Sequence, residues 1–277
     1  MPFGGVSLLF VSSALVALVV SVALYIFYTI TKHEDIGAAG SIIAWLGTAF
    51  LTLALVFRTI ASGHGPFANM YEYSVSFAWG VTLCYLLIER QLKSRTLGAL
   101  VLPIGALILA MAAHGWLFNI RISSDIEPLV PALQNNLLLT VHVAVAIFAY
   151  GMFAVAFGSA IMYLIQSGSM RVSWLPDAEV LDDTSYKSVM IGVPLFALVI
   201  ILGAYWGNVA WGRYWGWDPK ETASLVTWLI YLGYLHSRAI AGWKGRPAAV
   251  LLAIGFAAVL FTFFGVNLFL SGLHSYA

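Results

Sequence analysis

Eight long apolar stretches dominate the chain: Ser7–Ile30, Ser41–Phe57, Tyr71–Ile88, Leu97–Ala113, Leu137–Ile165, Val189–Tyr205, Thr222–Ile240 and Ala248–Leu270. A helix needs about 20 mostly apolar residues to cross a bilayer, where every backbone N–H and C=O must find its partner within the protein. The stretches predict an all-α fold, a polytopic membrane helix bundle of about eight transmembrane helices. The fourth is the weakest, because Pro103 and Gly105 interrupt it. The first is not expected to be a signal peptide: it lacks a basic leader, and its apolar run exceeds the usual ~7–15 residues. There is no internal repeat and no low-complexity tract, and the connections are short. One integral membrane domain over residues 1–277 is expected, without a soluble module.

Composition agrees with this and closes other routes. Of the 277 residues 61% are hydrophobic and 9% charged, against about 25% charged in soluble domains. Thirteen basic and twelve acidic side chains cannot coat a water-facing surface around so much apolar material. A formal net charge of +1 excludes electrostatic binding of nucleic acid as the main activity. The single cysteine, Cys84, lies in an apolar stretch, so the chain has neither a disulfide nor a Cys-x-x-Cys pair of its own. Any thiol chemistry must use the sulfur of another molecule.

Basic residues set the expected topology. Loops after the odd-numbered stretches hold Lys32, Arg90, Lys93, Arg95, Arg171, Lys187, Arg238, Lys244 and Arg246. The opposite side holds Arg58, Arg121, Arg213 and Lys220. Nine against four puts both termini and the even-numbered loops outside.

The segment between the sixth and seventh stretches then faces outward. Residues 206–221 read as an external loop, and four of the ten tryptophans, Trp206, Trp211, Trp215 and Trp217, fall within twelve positions of it. Tryptophan is enriched at membrane interfaces generally, but an interfacial belt requires neither this density nor the alternating Gly207, Gly212 and Gly216. Indoles offer broad flat faces with one polar edge, and glycine lets the backbone approach a large flat ligand. Arg213 and Lys220 could hold carboxylates. The pattern points to an external site for a planar aromatic anion. Asp218-Pro219-Lys220-Glu221 also reads as a helix start, with an N-cap, a proline at the first helical position and a glutamate at the third. Capping and ligand binding by Asp218 are compatible, since the positive end of the helix dipole favours an anionic group.

These residues resemble the WWD signature of the haem-handling proteins of cytochrome c maturation. Further elements narrow the resemblance to the branch formed by the CcsA (CcsB or ResC) subunits of System II cytochrome c synthetases. Gly65-Pro66-Phe67-Ala68-Asn69-Met70-Tyr71-Glu72 is similar to the family's Pro-x-x-Asn-x-Tyr-Glu element. Leu133-Gln134 through His142-Val143 is similar to its Leu-Gln…His-Val segment, and Asn267 through Leu273-His274-Ser275-Tyr276-Ala277 to its terminal Gly-Leu-His-Ser-Tyr-Ala. Together they cover most of the chain from Gly65 onward.

A histidine in a bilayer is a functional hypothesis by default. His142, about one turn into the fifth stretch, and His274, just past the eighth, share the depth of the tryptophan segment. Two neutral imidazoles on opposite faces of a porphyrin would give bis-histidine ligation of the iron; alternatively, each caps a helix or bonds a loop carbonyl. The resemblance implies the former, because both align with the family's external haem ligands. His236 lies roughly 22 Å from Glu221 along the seventh helix, at 1.5 Å per residue. It matches the family's transmembrane histidine, which is paired with one from a partner subunit, or else it is an interfacial residue bonded to lipid or water. Glu72 either supports a ligand histidine or is a first-turn acid favoured by the helix dipole. His64 is expected to shape a turn, His33 to be solvated, and His114 has no assigned role.

The resemblance implies covalent attachment of haem b to the Cys-x-x-Cys-His motif of apocytochrome c, on the outer face of a bacterial cytoplasmic membrane or a thylakoid membrane. The chain would act with a ResB-like membrane partner and a thioredoxin-like thiol reductant. No catalytic residue beyond the haem ligands is expected. The competing readings are a haem carrier that passes haem to a chaperone, a transporter of another anionic aromatic solute, and a structural scaffold anchored by its tryptophans.

Overall fold

The structure is a computed structural model of the chain and describes residues 2–92, 95–114, 122–126, 129, 133, 137–168, 172–270 and 272–273. It is all-helical among these residues. The chain divides into two compact units, Met1–Val130 and Pro131–Ala277.

The first unit holds α1 (Pro2–Thr31), α2 (Glu34–Ser62), α3 (Met70–Leu92) and α4 (Gly98–Ala113). α1 and α2 form an antiparallel hairpin turned by Lys32, whose φ is 57°. Ser7 Oγ donates to the Ala54 carbonyl and Ser21 Oγ to that of Gly40. Gly37, Gly40, Ala44 and Gly47 are all buried on α2. Small residues of this kind let membrane helices approach until van der Waals packing holds them, in the absence of a hydrophobic drive between helices in lipid. A Cβ on Gly47 would already stand 3.2 Å from Leu18 Cδ2. α4 runs through Pro103 without a break.

The second unit holds α5 (Leu137–Gln166), α6 (Ala178–Trp211), α7 (Pro219–Ile240), α8 (Arg246–Leu260), a π-helical turn at Phe261–Gly265 and α9 (Val266–Phe269). α5 and α6 pack antiparallel, with Ser185 Oγ donating to the Ala156 carbonyl. Phe153 of α5 stacks on Tyr231 of α7, with ring centroids 3.7 Å apart and planes 6° from parallel. α7 and α8 are also antiparallel: Tyr231 lies against Gly255, and the Thr227 and Thr262 hydroxyls meet at 3.0 Å.

All eight expected stretches coincide with helices, apart from Leu97, which caps α4, and Leu270, which follows α9. Among the described residues, five helical segments are long and apolar enough to cross a membrane, Gly4–Thr31, Glu34–Ser62, Leu137–Gln166, Ala178–Trp211 and Arg246–Phe269. The chain is an integral membrane protein.

Helix ends depart from the apolar runs. α6 begins eleven residues before Val189, and its polar first turns are anchored by Asp182. That carboxylate accepts two bonds from Arg238 Nη1, both 2.8 Å, and one from the Gly245 amide. The Arg238 guanidinium also lies over the Tyr186 ring. α6 ends at Gly212, which takes φ 72° and donates its N–H to Asn208 O. The reading of residues 206–221 as a loop is therefore corrected: Trp206 and Trp211 belong to α6, residues 212–218 connect, and α7 starts at Pro219.

Candidate functional site

α5 and α6 place His142 beside Trp206. The His142 Nδ1–H donates to the Val199 carbonyl at 2.9 Å. A carbonyl only accepts, so this bond sets the neutral tautomer with its lone pair on Nε2. The imidazole lies 16° from parallel to the Trp206 indole, with centroids 6.5 Å apart. On the side of Gly203 there is no spare room, since a Cβ there would stand 2.8 Å from His142 Cε1. Trp206 packs edge-on against Trp211, with centroids at 4.7 Å.

The four indoles do not form one surface. Trp206 is only 2% exposed and backs the histidine. Trp217 is 68% exposed and adopts φ 56°, unusual for a residue with a side chain. It meets Trp215 at 5.7 Å with their planes nearly perpendicular. Arg213 is exposed, and its guanidinium lies against Gly216, where a side chain would collide with it.

The connection is held by the first turn of α7. Glu221 Oε2 accepts from the Gly216 amide at 2.8 Å and from the Asp218 amide at 3.1 Å. Asp218 Oδ1 accepts from Lys220 N–H at 3.0 Å. This is the expected capping box, with Pro219 in the first turn. Asp218 Oδ2 accepts from Leu273 N–H at 2.7 Å, and Lys220 Nζ donates to Asn267 Oδ1 at 3.1 Å. Lys220 thus serves within the fold. His274 and Gln134 lie outside the described residues.

His236 is exposed on α7, two residues before the partly buried Arg238–Asp182 pair. The remaining candidates lie in the first unit. Glu72 is 1% exposed and meets Arg58, 3% exposed, at 2.7 Å. Its other oxygen accepts from the Ala68 amide, so the carboxylate anchors the start of α3. Arg58 also donates to the carbonyls of Ser124 and Asp125. Arg58 escaped notice in the sequence as a site residue, although a lone arginine ending an apolar run carries that signal. His64 Nδ1 bonds the adjacent Gly65 carbonyl and shapes a turn as expected. His33 is exposed at the start of α2, and His114 ends α4. Cys84 is buried. Among the described residues no three histidine, cysteine or carboxylate side chains gather to hold a bare metal ion.

Fold and site define a membrane helix bundle whose second unit carries a histidine backed by indoles, beside a capped, tryptophan-rich connection. The pattern of cytochrome c assembly proteins matches residues 67–274, and the chain belongs to that family. The cytochrome c biogenesis protein CcsA of Pyropia yezoensis is 33% identical over 92% of this chain and 93% of its own length. The CcsA of Prochlorococcus marinus subsp. pastoris is 37% identical over 82% of this chain and 79% of its own. Among solved structures, a cytochrome c haem lyase, CcmF, superposes with a TM-score of 0.72 at 18% identity. The match covers 95% of this chain but 47% of CcmF, so this chain spans about half the length of that protein, and the likeness concerns the fold.

Proposed function

We propose that the chain holds haem b at the outer end of its second unit, with His142 and His274 as axial ligands, and presents it for covalent attachment to the Cys-x-x-Cys-His motif of apocytochrome c. The observation that carries the reading is the His142–Val199 bond. Histidines that ligate metals almost always donate their second ring N–H to a carbonyl, carboxylate or water, which fixes the tautomer and strengthens the ligating nitrogen. Family membership supports haem as the cargo, and the lyase function in the name of the structural relative CcmF supports attachment as the reaction.

In this reading Trp206 holds the imidazole in place, Trp211, Trp215 and Trp217 offer apolar faces to the macrocycle, and Arg213 is available to a propionate. Each attachment adds one substrate S–H across one vinyl C=C. A C–S bond forms, the hydrogen ends on the other vinyl carbon, and no net oxidation occurs. The chain's contribution is positioning, itself a large source of rate. No general base is assigned. The substrate's own histidine would displace one protein ligand and bring its cysteines to the vinyl groups.

A ResB-like membrane partner completes the complex, with a thioredoxin-like protein keeping the substrate thiols reduced. In this reading His236, exposed on α7, shares a haem with a histidine from that partner on the side of the membrane opposite the outer site. The nine-to-four distribution of basic residues supports this sidedness.

The test is the visible absorption spectrum of the full chain purified with its membrane partner. A Soret band with a bis-histidine signature, lost when His142 is replaced by alanine, is the expected result. Colourless wild-type protein from haem-replete cells would end the proposal.

A further inference from the structure

Asp218 serves two distant parts of the chain with its two oxygens. Oδ1 caps α7 through Lys220 N–H, and Oδ2 accepts from the amide of Leu273, 55 residues later, at 2.7 Å. The carboxylate is 6% exposed, and a bond from an amide to a shielded, charged acceptor belongs to the stronger class. Gly272 fits the same contact: a Cβ there would stand 2.5 Å from Oδ2 and 3.1 Å from Pro219 Cδ. Only glycine lets the segment lie so close. The Lys220–Asn267 bond fastens the chain six residues earlier. The residue that follows Leu273 is His274.

Capping alone does not call for a carboxylate. Asparagine caps helices as well as aspartate, but it puts an NH2 donor in place of one carboxylate oxygen, so Lys220 N–H and Leu273 N–H, which here go to different oxygens, would not both meet an acceptor. We infer that Asp218 is a positioning residue, holding the backbone immediately before His274 against the start of α7 and acting on bound haem through that histidine. The role assigned to His274 rests on the function proposed above; the clamp itself does not.

The experiment uses the full chain with its membrane partner in detergent, as wild type, Asp218→Asn, Gly272→Ala, His274→Ala and the Asp218→Asn/His274→Ala double variant. The first readout is hydrogen–deuterium exchange of the C-terminal peptide. It should accelerate about ten-fold or more in Asp218→Asn and in Gly272→Ala, the worth of one bond to a charged acceptor. Gly272→Ala retains the Asp218 carboxylate and its Oδ1 acceptor for Lys220 N–H, and unchanged exchange of the α7 amides in this variant separates a loss of the clamp from a loss of the cap. Unchanged exchange in both variants overturns the clamp.

The second readout is the haem spectrum. Asp218→Asn should reproduce the change seen in His274→Ala, free imidazole should reverse it, and the double variant should be no worse than His274→Ala alone. An additive loss in the double variant, a defect that imidazole does not reverse, or faster exchange with an unaltered haem spectrum overturns the positioning role. If no sample binds haem, wild type included, the functional reading fails while the exchange data still decide the clamp.

Discussion

His142 and Trp206 lie nearly parallel, 6.5 Å apart between ring centroids, and Gly203 closes the space beside the imidazole. The ring is thus fixed by a bond at Nδ1, an indole alongside it and a helix backbone at its Cε1 edge. Val199 contributes through its carbonyl, so Gly203 is the position at which this arrangement can be disturbed genetically.

Gly203→Ala should force the imidazole to turn and lengthen its bond to Val199. Haem affinity should fall about 10- to 100-fold, the usual effect of losing the partner of a metal-ligating histidine. Titration of haem into the purified complex measures it, and affinity equal to wild type would show that the ring needs no such support.

Direct removal of the ligand behaves differently. His142→Ala should abolish attachment to apocytochrome c, and free imidazole should restore part of it by taking the vacant place. His236→Ala should instead reduce the amount of haem reaching the outer site, leaving that site able to bind haem added from outside. Attachment assays in cells, paired with haem titration of the purified variants, separate the two defects.

Arg58→Ala or Glu72→Ala should destabilise the protein by about 3–5 kcal/mol, because each leaves a buried charge without its partner. Replacing both together, as Arg58→Met with Glu72→Leu, should cost less than either single change. Thermal unfolding in detergent tests this. A double variant that melts below both singles would mean that the bonds to Ser124 and Asp125 matter more than the ion pair.

Glu221→Ala removes the acceptor shared by the Gly216 and Asp218 amides. A loss of about 1 kcal/mol is expected from the cap, along with faster proteolysis at residues 212–218. Glu221→Gln, which keeps an acceptor oxygen, should fall between wild type and alanine.

The helices were legible because apolar runs long enough to cross a bilayer have few alternatives. Their ends were less so. The start of α6 at Ala178 depends on Asp182 finding Arg238 fifty-six residues away, and no local pattern announces that pairing. Trp206 and Trp211 read as loop because glycines separate them from their neighbours, yet their packing keeps them helical. The cap at Asp218 was visible because all its parts lie within four consecutive residues. Its second bond, to Leu273, was not. Arg58 counted as an outward positive charge, whereas the fold neutralises it with Glu72. The partner of His142 was hidden for a simpler reason: a backbone carbonyl has no letter in the sequence.

The π turn at Phe261–Gly265 gives the C-terminal helix a different phase. The Val266 amide reaches back five residues to Phe261, so one residue more than an α-helix needs is taken up there. Deleting one residue from this turn would restore a regular helix and rotate everything beyond it by about 100°. Asn267 would swing away from Lys220, and Leu273 would lose its approach to Asp218. The aim of the segment that reaches Leu273 is therefore written in a single surplus residue.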